Sequence, residues 1–324
     1  MSAGRIGQGG LATDLLAVAM MAGIAAVCFW VYPSNLALMT RIIAVMLLVL
    51  SLDLVTGMAG VATLGHAALF GAGAYGAGIA AAHFAVADPF ALLLIGLLAG
   101  AAAGLLSGLV ILRGRGLGQL VLSIALVQLA HETANRFSRW TGGSDGLPGI
   151  APAPIFGIWR FDIWGRSSFI LGVVLLILVF LLLRRIARSP FGMLCHAIRQ
   201  DPVRVRAMGV PLRPVLIRLY ALSGAVAGLG GALSAISTRV VGLDSLSFTL
   251  SAEALVMLVL GGAGNLFGAM IGAAVFMWFE HQVAAINPFH WLSIVGLLLV
   301  AVVLFAPRGL TGSAASLWTR WRVR

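Results

Sequence analysis

The chain contains no lysine; its 21 basic residues are all arginine. A Walker A loop needs a lysine on the nucleotide phosphates. This polypeptide cannot supply one, so any ATP hydrolysis linked to it falls to a partner. Charge of either sign is scarce. Only 10% of residues are charged and 61% are hydrophobic, with a mean hydropathy of +1.06. Soluble domains carry about 25% charged residues, so a water-soluble protein is excluded and an integral membrane protein is identified. Cysteine is nearly absent. Cys28 lies in an apolar run and Cys195 in a basic segment, at different depths or compartments, so neither a disulfide nor a metal site is expected. The apolar–polar alternation of barrel strands is missing too. The runs are long and continuous, which predicts an all-α, polytopic bundle of transmembrane helices.

The net charge of +11 rests on arginine alone. In a membrane protein such an excess reads as the positive-inside rule rather than as nucleic-acid binding. A helix needs about 20 apolar residues to cross a bilayer. By that measure ten spans are predicted, near 15–32, 36–56, 65–84, 89–112, 117–135, 167–183, 215–236, 251–264, 266–286 and 290–306. The first, Leu15 to Tyr32, is expected to be a retained span rather than a cleaved signal peptide. The glycine-rich stretch Gly57 to Gly65 reads as a broken or re-entrant segment, and the short span at 251–264 ends in GGAGN. Both demand protein or water around their backbone. With both termini cytoplasmic, Arg113, Arg115, the 184–218 segment, Arg308, Arg320, Arg322 and Arg324 fall inside the cell. Arg136, Arg139, Arg160, Arg166 and Arg239 fall outside, in loops shared with Asp145, Asp162 and Asp244, and Arg41 lies within a span.

Glycines recur every four residues at Gly96, Gly100, Gly104 and Gly108, at Gly264, Gly268 and Gly272, and at Gly224 and Gly228. Each set predicts a helix face along which backbones approach closely, with Gly100, Gly104, Gly264 and Gly268 as packing positions. The tetrapeptide LFGA occurs at Leu69–Ala72 and again at Leu266–Ala269, a faint internal echo of the kind repeat-built transporters show.

The densest basic stretch is RRIARSPFGMLCHAIRQDPVRVRAMGVPLRPVLIR, residues 184–218, between two long apolar runs. A mere connection needs only a few residues. Arg184, Arg185 and Arg188 abut a span and fit a topology anchor. The remainder is long enough to form a short helix that stops at Gly209, before Pro211 and Pro214. Arginine in it suits recognition of carboxylates on a partner, and contact with lipid headgroups is the other reading.

Four segments, in order, resemble the LivM type of bacterial branched-chain amino acid ABC transporter permease. They are LDLVTGMAGVATLGHAALFGAGAYGAG at 52–78, WTGGSDGLPGI at 140–150, GMLCHAIRQDPVRVRAMGV at 192–210 and LSAEALVMLVLGGAGNLFGAMIGAA at 250–274. The resemblance implies one permease domain over residues 1–324 of a bacterial inner (cytoplasmic) membrane protein. It implies a cytoplasmic coupling loop at 184–214 and an external loop at 136–166. The implied partners are a homologous permease, two ABC ATPase subunits and a periplasmic solute-binding protein, besides membrane lipid. ATP and magnesium would sit on the ATPases, with no cofactor in this chain. The coupling loop would dock through Ala197, Ile198, Arg199, Asp201, Ala207, Gly209 and Val210. Ala207, Gly209 and Val210 match the family's positions, whereas Pro202, Arg204 and Arg206 depart from them.

Ionisable groups within spans are costly and mark pathways. The candidates are Arg41, Asp53, His66, His131, Glu132, Glu253, Glu280 and His281. Asp53, His66 and Glu253 join Thr141, Ser144 and Asp145 of the external loop as candidate pathway residues. Structural alternatives stand beside these readings. His66 at the head of a helix can cap a broken segment, Glu253 can favour a helix N-terminus, and the external loop can be a tight plug over the helices. No nucleophile–base pair or metal-ligand spacing is visible, so an enzyme is not expected. The leading expectation is the permease of an ATP-driven importer. The alternative is a stand-alone proton- or sodium-coupled secondary transporter of small organic solutes.

Overall fold

The computed structural model describes residues 11–286 except Ser34, Arg115, residues 155–158, Arg160 and Ile163, together with Gly296 and Gly309. Among the described residues there are twelve α-helices: α1 Leu11–Val31, α2 Leu36–Leu52, α3 His66–Phe84, α4 Pro89–Ile111, α5 Leu117–Arg136, α6 Ser138–Thr141, α7 Arg166–Arg188, α8 Pro190–Gln200, α9 Pro202–Ala207, α10 Leu212–Thr238, α11 Phe248–Gly261 and α12 Leu266–Ile286. A π-helical turn, Asp53–Met58, continues α2. Among the described residues eight helices are long and apolar enough to cross a membrane: α1, α2 with its π-turn, α3, α4, α5, α7, α10 and α12. α11, with 14 residues, is shorter than a span. The expected span at 290–306 and the arginines from Arg308 onward lie outside the described residues.

Two boundaries differ instructively from expectation. α7 does not stop at residue 183 but continues through Arg184, Arg185 and Arg188, because arginine is a good helix former and favours a helix C-terminus. The short helix expected at 251–264 begins at Phe248 instead, where the Ser247 side chain accepts the Leu250 amide at 3.1 Å.

α10 is the centre of the bundle and packs on α4, α3 and α2. Lipid tails are as apolar as leucine, so close van der Waals contact rather than water exclusion must hold such helices together. The glycine spacing provides it. A methyl group added at Gly100 would lie 2.6 Å from the Gly228 Cα, and one at Gly224 would lie 2.8 Å from the Gly104 Cα. Gly96 meets Ala232, and Gly108 meets Tyr220, so the whole predicted face of α4 closes on α10. Gly268 and Gly272 meet Gly261 across the α11–α12 pair. Gly264 does not belong to that face. It precedes α12, in a turn where its φ is +88°, because the four-residue period runs on past the helix start.

The two copies of LFGA both lie near the start of a helix that follows a glycine-bearing break, at the head of α3 and of α12. α1 sits at the periphery and touches α7. There Asp14 pairs with Arg184 at 2.9 Å and Arg188 at 3.1 Å, which sets the start of α1 beside the end of α7. The connection after α5 folds tightly over the end of α3. Leu147 and Ile150 are buried, and Leu147 forms an isolated antiparallel bridge with Val241.

Candidate functional site

Between α7 and α10 the chain folds as two short helices, where a single one was expected. Ser189 caps α8, accepting the Gly192 amide at 3.3 Å, with Pro190 at the first helical position. The break is made by Asp201. Its backbone is extended (φ −153°, ψ 90°) and its Oδ1 accepts the amides of Val203 and Arg204 at 3.1 and 3.0 Å. Asp201, expected to contact a partner, is thus the N-cap of α9. Pro202, which departs from the family pattern, occupies the first position of α9, where its missing N–H costs nothing. Ala207 ends α9, and Gly209 follows with φ +84°, a left-handed stop.

The two helices have an inner and an outer side. Cys195, Ile198 and Val205 are buried against the bundle, with Ala197 and Val210 packed beside them. Met193, Val203 and Met208 point away, 60%, 75% and 76% exposed. Arg199 turns inward, and its guanidinium donates to the Gly57 carbonyl. Arg204 and Asp201 form an exposed pair at 3.5 Å, of little energetic weight. Burial pushes the Cys195 thiol up to about 11. Burial, and then the Arg199 charge, holds the neighbouring His196 below its ordinary value. A groove of about 340 Å³ opens beside this unit, lined among others by Gly60, Gly114, Arg199, Arg206 and Arg213.

The candidate pathway residues separate into distinct surroundings. Asp53 is buried at the start of the π-turn, and its Oδ1 accepts the Gly264 amide at 2.6 Å. His66 is buried at the first position of α3, but its ring does not cap the helix. Nε2 meets Ser223 Oγ at 2.9 Å, and that hydroxyl donates to the Ser51 carbonyl at 2.8 Å, tying α3, α10 and α2 together. Glu253 does not cap α11 either; it stands more than a turn inside, and Ser247 is the cap. Thr141 is buried and donates to the Ala134 carbonyl, which closes the end of α5. Ser144 and Asp145 are exposed and meet each other at 3.3 Å. A second, mostly apolar groove of about 520 Å³ lies between α3, α4 and α5, with Tyr75, Ser107 and Thr133 among its lining. Among the described residues no three His, Cys, Asp or Glu side chains lie close enough to hold a metal ion.

The sequence reading searched for ionisable groups and so missed the hydroxyls that hold the break before α3. The Leu64 amide donates to Ser123 at 3.0 Å, Gly65 to Thr63 at 3.1 Å and Ala67 to Ser251 at 2.9 Å. Non-helical backbone at membrane depth must be satisfied by protein, and here small hydroxyls from α5, α11 and the break itself do so. The signal available was serine inside otherwise apolar runs.

The family profile described as branched-chain amino acid transport system / permease component matches residues 34–305. The chain is 27% identical over 317 residues to the high-affinity branched-chain amino acid transport system permease protein LivM of Escherichia coli K12, covering 91% of this chain and 74% of that protein. Against LivM of Salmonella typhimurium the identity is also 27%, over 87% of this chain and 71% of the relative. The autoinducer 2 import system permease protein LsrC of Shigella flexneri is 30% identical over 52% of this chain and 50% of its own length. No solved structure matches. The chain belongs to the branched-chain amino acid transport system permease family.

Proposed function

We propose that this chain is the transmembrane permease subunit of an ATP-driven importer of branched-chain amino acids or related small solutes, in a bacterial inner membrane. It forms the pathway with a second, homologous permease. Two ATPase subunits bind its cytoplasmic end and hydrolyse ATP with magnesium, and a periplasmic binding protein delivers the solute. The chain itself performs no chemical step.

The observation that carries this reading is the two-sided α8–α9 unit. A loop that merely connected spans would not bury one face and leave Met193, Val203 and Met208 uncovered. Each such side chain gains about 1.5–3 kcal/mol when fully buried, which suits insertion into a groove on an ATPase. The docking is therefore apolar at its centre. The departure of Arg204 and Arg206 from the family pattern falls on its solvated rim. The arginines of this end, Arg113, Arg184, Arg185, Arg188 and Arg213, suit a cytoplasmic face. α5 supports a permease partner. After α1 it is the least buried candidate span, yet Gln128, Glu132 and Asn135 are exposed along it, an arrangement poorly suited to lipid. Ser144 and Asp145, at the opposite end, suit contact with the binding protein.

The test is co-purification. The unaltered chain, expressed with its permease and ATPase partners, should carry the ATPase through purification. Val203→Asp combined with Met208→Asp should lower ATPase recovery at least tenfold while the permease remains folded. Uptake driven by a proton or sodium gradient through this chain alone in vesicles would instead establish the secondary-transporter alternative.

A further inference from the structure

The inward turn of Arg199 joins three parts of the chain that are far apart in sequence. The first is α8, which carries the arginine. The second is the end of α2, where the π-turn carries Asp53 and Gly57 and is followed by Gly60. The third is the turn between α11 and α12, at Gly264. Arg199 donates to the Gly57 carbonyl, and Asp53 accepts the Gly264 amide. Side chains at three glycines would crowd this meeting point. A Cβ at Gly60 would lie 2.9 Å from Arg199 Cγ, one at Gly264 2.9 Å from Arg199 Nη1, and one at Gly57 2.6 Å from the Gly264 nitrogen. Gly60 and Gly264 also have φ of +73° and +88°, so side chains are disfavoured there on two counts.

We propose that Arg199 is a positioning residue for transport: it is the grip through which movement of α8–α9 reaches the π-turn of α2 and the α11–α12 turn. This rests on the reading of α8–α9 as the coupling unit, but assigns Arg199 to the permease side of it rather than to ATPase docking. The chemistry suits the role. A guanidinium has five donors in a rigid fork and reaches several acceptors at once. A hydrogen bond from a charged donor is stronger than a neutral one. Asp53, buried in the same π-turn, anchors the α11–α12 turn through the Gly264 amide. The two segments gripped are also places where helix geometry is already interrupted. Such places change shape with least loss of regular hydrogen bonding.

The experiment uses the complete importer in proteoliposomes, with radiolabelled leucine as the probe and leucine taken up per ATP hydrolysed as the readout. Arg199→Leu should retain its ATPase subunits and hydrolyse ATP within about twofold of the parent, while uptake per ATP falls at least tenfold. Arg199→Lys should recover part of that loss. Unchanged uptake per ATP in Arg199→Leu overturns the proposal. So does loss of the ATPase subunits from a folded Arg199→Leu permease, which would make Arg199 a docking residue. If Arg199→Leu does not fold, Asp53→Leu decides by the same ratio, and a parental value there overturns the grip. An unaltered chain that binds no ATPase defeats the reading of α8–α9, and the proposal with it.

Discussion

Cys195 and His196 are neighbours in α8, and burial disfavours the charged form of both. Their pH dependences run in opposite directions. The thiol is raised from 9.0 to about 11, so its contribution to the fold is complete below 9.0 and is lost as pH rises toward 11. The imidazole is lowered from 6.5, so its contribution is complete above 6.5 and is lost as pH falls below that value. Hydrogen-exchange protection of residues 190–207, corrected for intrinsic exchange, should be greatest between these limits and fall on either side. His196→Gln should remove the acid-side loss and leave the alkaline one; a variant that still loosens in acid would refute the assignment. At neutral pH a maleimide should label Cys195 only after unfolding, since a buried thiol is neither ionised nor accessible.

At the scale of elements, the α4–α10 seam makes the sharpest demand on side-chain size. Gly100→Val or Gly228→Val should abolish recovery of folded protein in detergent, because the added carbons meet backbone rather than a movable side chain. Gly23→Ala, in α1 where nothing lies within 4 Å of an added Cβ, should be neutral or slightly stabilising in a thermal melt. Equal losses in both would argue that helix propensity, not contact, sets the effect. This seam was legible in the sequence, since a four-residue glycine period within an apolar run has one geometric meaning. Gly264 carries the same period and was misread, because spacing alone does not mark where a helix begins. The inward direction of Arg199 and the division of the coupling segment at Asp201 were also hidden. A cap and an outward-facing charge are the same letters until the neighbouring amides are located. The hydroxyls of Ser123, Ser223 and Ser251 were overlooked for a related reason: what they satisfy lies on other segments of the chain.

For the whole molecule, the arrangement is concentric. α2, α3 and α10 are mostly buried, and α1 and α5 are mostly uncovered. The positions of the eight long apolar helices and the arginine-rich end were readable from hydropathy and arginine placement. The concentric order was not, because inner and outer helices are equally apolar in this chain. A folded core should therefore require α10. A chain ended after residue 211 should be degraded or extracted with non-native proteolytic sensitivity, while the full chain resists protease. Resistance in the shorter product would show that α2, α3 and α4 hold together unaided.

The seam has a consequence in time as well as in space. Its two sides, Gly100 and Gly228, are made far apart during synthesis. The helix that α2, α3 and α4 all lean on leaves the ribosome only after seven of the described helices before the coupling unit have emerged. Until then the glycine face of α4 has no α10 to pack against. The seam can close only then, so the bundle becomes one body late in its own translation.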